Sequence, residues 1–214
     1  MKHVIVAHVD RSGNAQEVLR WAEREASLHG LQLRVVGDSP LEPPDGMKLL
    51  VVGTPGTNVG DFPCPVVFVP TVPCPESPFA EVTLGVNARE PAEAAVDFAF
   101  DTARARCVRL RAVHAWRFPS CAAELPFGVP EDDRGAWEDH EVQLLADVLR
   151  PWREKYPQVP VLEDVRLLPP AQALLQRSAS AGLVVVGRRP GGAPGAVTQV
   201  LLRESLRPVA VVPA

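Results

Sequence analysis

Short apolar runs alternate with amphipathic stretches along most of the chain, and the spacing within each predicts its element. Met1–Val9 predicts a buried strand, and the spacing of Ala15, Val18, Leu19, Ala22 and Ala26 predicts a helix after Ser12, a residue type suited to an N-cap. Gly30 supplies a stop, and Leu31–Val36, Leu49–Gly53 and Pro65–Pro70 predict three further strands. Pro70, Pro73 and Pro75 then favour a stiff connection. Beyond it the pattern restarts: a strand at Val82–Asn87, a helix opened by Pro91 with Ala95, Phe98, Ala99 and Thr102 on one stripe, and a strand at Val108–Trp116. A proline-containing loop, Phe118–Pro130, precedes a long helix over Glu131–Tyr156, which Pro151 is expected to kink or interrupt. Val159–Leu167, a helix opened by Pro170, Leu183–Gly187, a short helix around Val197–Leu206 and Val209–Val212 complete the reading.

Strands alternating with helices predict a parallel sheet with helices on both faces. The two halves also echo one another. Leu49-Leu-Val-Val-Gly53 parallels Leu183-Val-Val-Val-Gly187, and Cys64-Pro65-Val-Val-Phe-Val69 parallels Arg207-Pro208-Val-Ala-Val-Val212. The expected organisation is a shortened unit over 1–70, a Pro-rich linker over 71–79 and a fuller unit over 80–214.

Composition narrows the function classes. The chain has 214 residues, 46% hydrophobic and 22% charged, with a formal charge of −4, which suits a globular α/β protein. The absence of a basic stripe argues against a nucleic-acid partner, and no apolar run approaches a membrane span. Cys64, Cys74, Cys107 and Cys121 show no C-x-x-C spacing, and His3, His8, His29, His114 and His140 have no metal-ligand partner at helical spacing. Reduced thiols and no secretory signal lead us to expect a cytoplasmic protein without a metal. No nucleophile elbow, Walker A loop or G-x-G-x-x-G occurs, so an enzyme is not expected.

The opening Val9-Asp10-Arg-Ser12, the phrases Arg109-Leu-Arg-Ala-Val-His114-Ala-Trp116 and Pro170-Ala-Gln-Ala-Leu-Leu175, and the two closing strand motifs, Leu183-Val-Val-Val-Gly187-Arg-Arg189 and Arg207-Pro208-Val-Ala-Val-Val212, resemble the universal stress protein family in its tandem form. The resemblance implies Rossmann-like units with strand order 3-2-1-4-5 and, in many members, ATP or AMP at the carboxyl edge. There an Asp ends the first strand, backbone follows the second, and a Gly-x-x-Gly-x9-Gly-Ser/Thr turn holds phosphate. It also implies pairing through the last strands, here Val66–Val69 and Val209–Val212, as a homodimer or within one chain.

Carried over residue by residue, that pattern breaks in both units. In the fuller unit Asn87 replaces the Asp, Val113 stands for the backbone element, and Gly187 matches the first glycine. Pro190 takes the second glycine's place, Gly195 matches the third and Ala196 replaces the hydroxyl residue, with Arg188, Val197 and Thr198 alongside. Seven residues separate Gly187 from Gly195, too few to wrap a triphosphate. In the shortened unit Asp10, Ser12, Gly53 and Gly56 survive, but the helix that should face the phosphates is missing. Asp10 suits either a ribose contact or a helix cap, and the glycines suit a plain strand-to-helix turn at least as well as a phosphate cradle. The Arg188–Arg189 pair reads as solvated surface and Trp116 as packing. A regulatory or interaction protein with weak or absent nucleotide binding is the expected function, acting on an unknown protein partner. An adenine-nucleotide-binding stress protein is the alternative.

Overall fold

A computed structural model describes residues 3–9, 13–37, 46–54, 62–72, 80–118, 131–189 and 194–214. Its strands are β1 (Val4–His8), β2 (Gln32–Val36), β3 (Met47–Gly53), β4 (Val66–Val69), β5 (Glu81–Gly85), β6 (Leu110–Trp116), β7 (Val161–Leu167), β8 (Ala181–Arg188) and β9 (Val209–Pro213). The helices are α1 (Ala15–His29), α2 (Glu93–Ala105), α3 (Glu131–Lys155), α4 (Pro170–Ser178) and α5 (Ala196–Glu204). All nine strands form one sheet, in the order β2-β1-β3-β4-β9-β8-β5-β6-β7. Counted from β5, the segment β7-β6-β5-β8-β9 is the order 3-2-1-4-5. Every neighbour pair is parallel except β4 and β9, which meet antiparallel with Val66 opposite Val211 and Phe68 opposite Val209.

Alternation along the strands sorts their side chains onto two faces. Ile5, Val51, Val67, Val82, Leu84, Leu183, Val185 and Ala210 enter one core, closed by Val18 and Ala22 of α1, Val96 and Ala99 of α2, and Leu145 and Leu149 of α3. Val113, Val184, Val186, Val209 and Val211 face the other way against Ala173 and Leu174 of α4 and Leu201 of α5. On that second face, the β1–β4 half forms its own buried group of Val6, Leu50, Val52, Cys64 and Val66, to which no described helix contributes. Burial raises the Cys64 thiol to about 11, which keeps it protonated and unreactive at neutral pH.

Helix ends follow local chemistry, with two departures from expectation. Gly30 ends α1 at φ 62°, and its amide bonds the Ala26 and Ser27 carbonyls, as a left-handed C-terminal glycine does. The helix begins at Ala15 with Asn14 at the cap, two residues beyond Ser12, which lies outside the described residues. The helix expected to open at Pro91 starts at Glu93, capped by Ala92 in an extended conformation. Pro151 does not interrupt α3, which runs on to Lys155. The proline falls near the helix end and removes one bond, while Trp152 and Tyr156 anchor the tail by stacking on buried Phe100 at 6.4 and 5.6 Å.

Candidate functional site at the carboxyl edge

In an open α/β sheet a ligand crevice lies where neighbouring strands leave in opposite directions, outside their carboxyl ends. Here that point falls between β5 and β8, and again between β1 and β3. In the β5–β8 half the chain turns just after Gly85. Asn87 is exposed, and its Oδ1 accepts a hydrogen bond from the Arg89 amide at 3.2 Å, while its carbonyl accepts from the Glu90 amide at 3.0 Å. Its side chain thus closes its own turn. Val113 is buried on β6 among the α4 contacts, and its carbonyl accepts the Val86 amide at 3.0 Å.

Gly187 is needed for packing. A Cβ there would lie 2.4 Å from the Cβ of Ala92, so the start of α2 rests directly on the β8 backbone. The Arg188 guanidinium donates to the Phe62 carbonyl at 2.9 Å, reaching the β1–β4 half of the sheet. Arg189 is the solvated member of the pair, 88% exposed and 3.8 Å from Glu90. Gly195 caps α5 in an extended conformation with open space beside it. Ala196, Val197 and Thr198 form the first turn of α5, and Thr198 is buried. Pro190, Gly191 and Gly192 lie outside the described residues.

In the β1–β3 half, Asn14 packs on Gly53 at the end of β3. A Cβ on Gly53 would lie 2.2 Å from Asn14 Oδ1. Asn14 is buried, and its Nδ2 donates to the Val69 carbonyl at 3.1 Å and more weakly to that of Thr54 at 3.4 Å. The Thr54 hydroxyl adds a bond to Val69 at 3.2 Å. Asp10, Ser12 and Gly56 lie outside the described residues.

Sequence inspection missed a three-residue network behind Asn87. His114 is buried on β6; its Nε2 donates to Glu141 at 2.9 Å, and its Nδ1 accepts from the Ala88 amide at 3.4 Å beside the Val86 carbonyl at 3.2 Å. Glu141 also pairs with Arg89. Both ring nitrogens are committed to the protein, which pins the Val86–Arg89 turn to α3. The available signal was Glu141 itself, a carboxylate one turn before Leu145 and Leu149 on their apolar stripe. Trp116 is packing, as expected: it lies edge-on to Phe118 at 5.3 Å, and Phe118 meets Trp137 at 5.5 Å.

These features define a doubly wound α/β protein with a strand-order reversal at each crevice. The universal stress protein family matches residues 78–213, and the chain belongs to that family. A universal stress protein of Mycobacterium tuberculosis is 37% identical over 155 residues, covering 69% of this chain and 51% of its own length. The chain thus spans about half the length of the curated relatives it matches. Among solved structures, a universal stress protein from Archaeoglobus fulgidus covers 100% of this chain and 86% of its own, with TM-score 0.58 and 14% identity. Another universal stress protein, solved in complex with cAMP, matches 64% of this chain and 98% of its own at 20% identity and TM-score 0.47. No helix among the described residues is long and apolar enough to cross a membrane.

Proposed function

We propose that this chain is a non-catalytic regulatory protein of the universal stress protein family, acting in the cytoplasm through a protein partner and binding nucleotide weakly or not at all. The observation that carries this reading is the packing already present beside both crevices, with Ala92 against Gly187 and Asn14 on Gly53 bonded to Val69. Asn87 spends its side chain on its own turn and Arg188 on Phe62, so two candidate ligand contacts are already engaged. A His114 with both nitrogens engaged favours a structural tether over a general base. We read the antiparallel β4–β9 contact as an intramolecular counterpart of a homodimer joint, between a shortened and a fuller unit.

The test is to identify any nucleotide released on denaturing the purified chain and to titrate ATP and AMP calorimetrically. Silence at millimolar ATP is the expected result. Micromolar binding abolished by Asn87→Ala would overturn it in favour of the second reading, an adenine-nucleotide-binding stress protein. That reading is supported by the α5 N-terminus at Gly195, where first-turn amides and the helix dipole suit a phosphate.

A further inference from the structure

The α4-side face of β5, β6 and β7 carries a cluster that packing alone does not explain. Glu81, buried at the start of β5, accepts from Arg109 Nε and Nη2 at 3.0 and 2.7 Å, from Arg111, and from the Ser180 hydroxyl at 3.1 Å. Burial alone would raise its pKa, but the Arg111 and Arg109 hydrogen bonds outweigh that and hold the carboxyl below its usual range. Asp164 on β7, 8% exposed, pairs with Arg111 Nη1 at 3.0 Å, Arg166 Nε at 2.5 Å and Arg177 Nε at 2.7 Å. Four guanidinium groups thus share two carboxylates whose oxygens are already taken, in a partly desolvated place where unbalanced charge is costly.

Two further observations point to a missing acceptor. Arg166 and Arg177 are held side by side on one carboxylate, and among the described residues their terminal Nη groups have no partner. The Arg177 Nε, though close to Asp164, makes no hydrogen bond to it. Thr83, fully buried between Glu81 and Gly85 on the same face and in register with Arg111, has a hydroxyl without a partner. We propose that this cluster is an oxyanion site that takes a dianionic phosphate group between the Arg166 and Arg177 guanidinium groups. Two planar forks offer paired donors to a tetrahedral oxyanion, and its charge balances the excess of cations. The group is either free phosphate or the phosphoryl end of a small phosphomonoester. Glu81, Arg109 and Arg111 lie toward the starts of β5 and β6, while Asp164 lies level with Val113 and Arg166 beyond it.

Calorimetric titration of the full chain with sodium phosphate, at ionic strength fixed with sodium chloride, tests the assignment. Saturable binding is expected, weakened about tenfold or more in the Arg166→Gln/Arg177→Gln double variant. The far-UV spectrum of that variant should be unchanged, since both side chains are part-exposed. Arg153→Gln, on the opposite face beside Glu163, should bind as the parent does. Phenyl phosphate separates the sources: equal affinity identifies free phosphate, and a clear preference for the ester identifies a phosphorylated ligand. No saturation beyond the chloride control, or binding indifferent to the double variant, would overturn the proposal.

Discussion

The two halves of the sheet solve one packing problem with different chemistry. In the β5–β9 half, the strand entering the crevice carries Gly187 next to its end, and the start of the first helix rests a methyl group, that of Ala92, on its backbone. In the β1–β4 half the equivalent glycine is Gly53, and the helix start meets it with the amide of Asn14, bonded across to Val69. Both keep the strand, the glycine and the first helix. They differ on the second face of the sheet: α4 and α5 cover it in one half, and no described helix contributes to the corresponding apolar group of the other. The strand pairing and the glycine contact are therefore the minimum that joins a half to the sheet. Among the described residues, the return helices α4 and α5 are what the two halves do not share.

The sharpest way to break the comparison is to attack the strand both halves share. Val211 is buried on β9 opposite Val66, so Val211→Lys places an unpaired charge against both. A loss of about 4 kcal/mol or more is expected, seen as unfolding or collapse of the thermal transition; an unchanged melting temperature would mean the halves do not depend on this joint.

Next in size is the ionic clamp between α1 and the end of α2. Glu25, 2% exposed at its side chain, pairs with Arg106 at 2.7 Å and His29 at 3.3 Å, and Arg106 lies over the Trp21 ring. Arg106→Ala strands the carboxylate, at a cost of about 3 kcal/mol in denaturant melts. Burial raises the Glu25 pKa, but His29 and Arg106 outweigh it and hold the carboxyl below its ordinary value of 4.5. Its contribution is therefore present above 4.5 and is lost as pH falls through the depressed folded value. Glu25→Gln should flatten that acid limb; an identical acid denaturation curve would show that the clamp does not carry it.

The glycines sharpen the contrast. Gly187→Ala forces a methyl into Ala92 and should cost about 1–3 kcal/mol. Gly53→Ala can swing the Asn14 side chain aside and should cost less, about 1–2 kcal/mol, the value of its lost bond. Equal losses in paired thermal melts would mean that the two glycines are packed alike. The smallest effect is expected for Asn14→Ala, about 1 kcal/mol, because Val69 keeps the Thr54 amide as a donor at 3.0 Å.

Much of this fold was legible because hydrophobic period and helix stops are local. Gly30 announced the end of α1, and the repeated strand motifs pointed to the segments that pair as β4 and β9. The helix starts were less legible: α1 begins at Ala15 behind Asn14, and Pro91 is a good local signal for a position where α2 does not start. The charged networks were invisible for a physical reason. Arg111 meets Asp164 only through the β6–β7 pairing, and His114 meets Glu141 only once α3 lies over β6. The candidate site was legible as a set of residue types at one edge, but not in its occupancy. Sequence alone did not distinguish a glycine that admits a phosphate from one that admits Ala92.

The central place of β9 has a consequence for synthesis. It is the final strand in chain order, yet it lies between β8 and β4. Until residues 209–213 leave the ribosome, β4 and β8 each present an open, apolar edge, and the two halves have no shared strand. On that side β4 waits through the synthesis of every element from β5 to α5, whereas β8 waits only for α5. A pause between β8 and β9 would leave both edges open together, whereas one between β4 and β5 would leave β4 alone open.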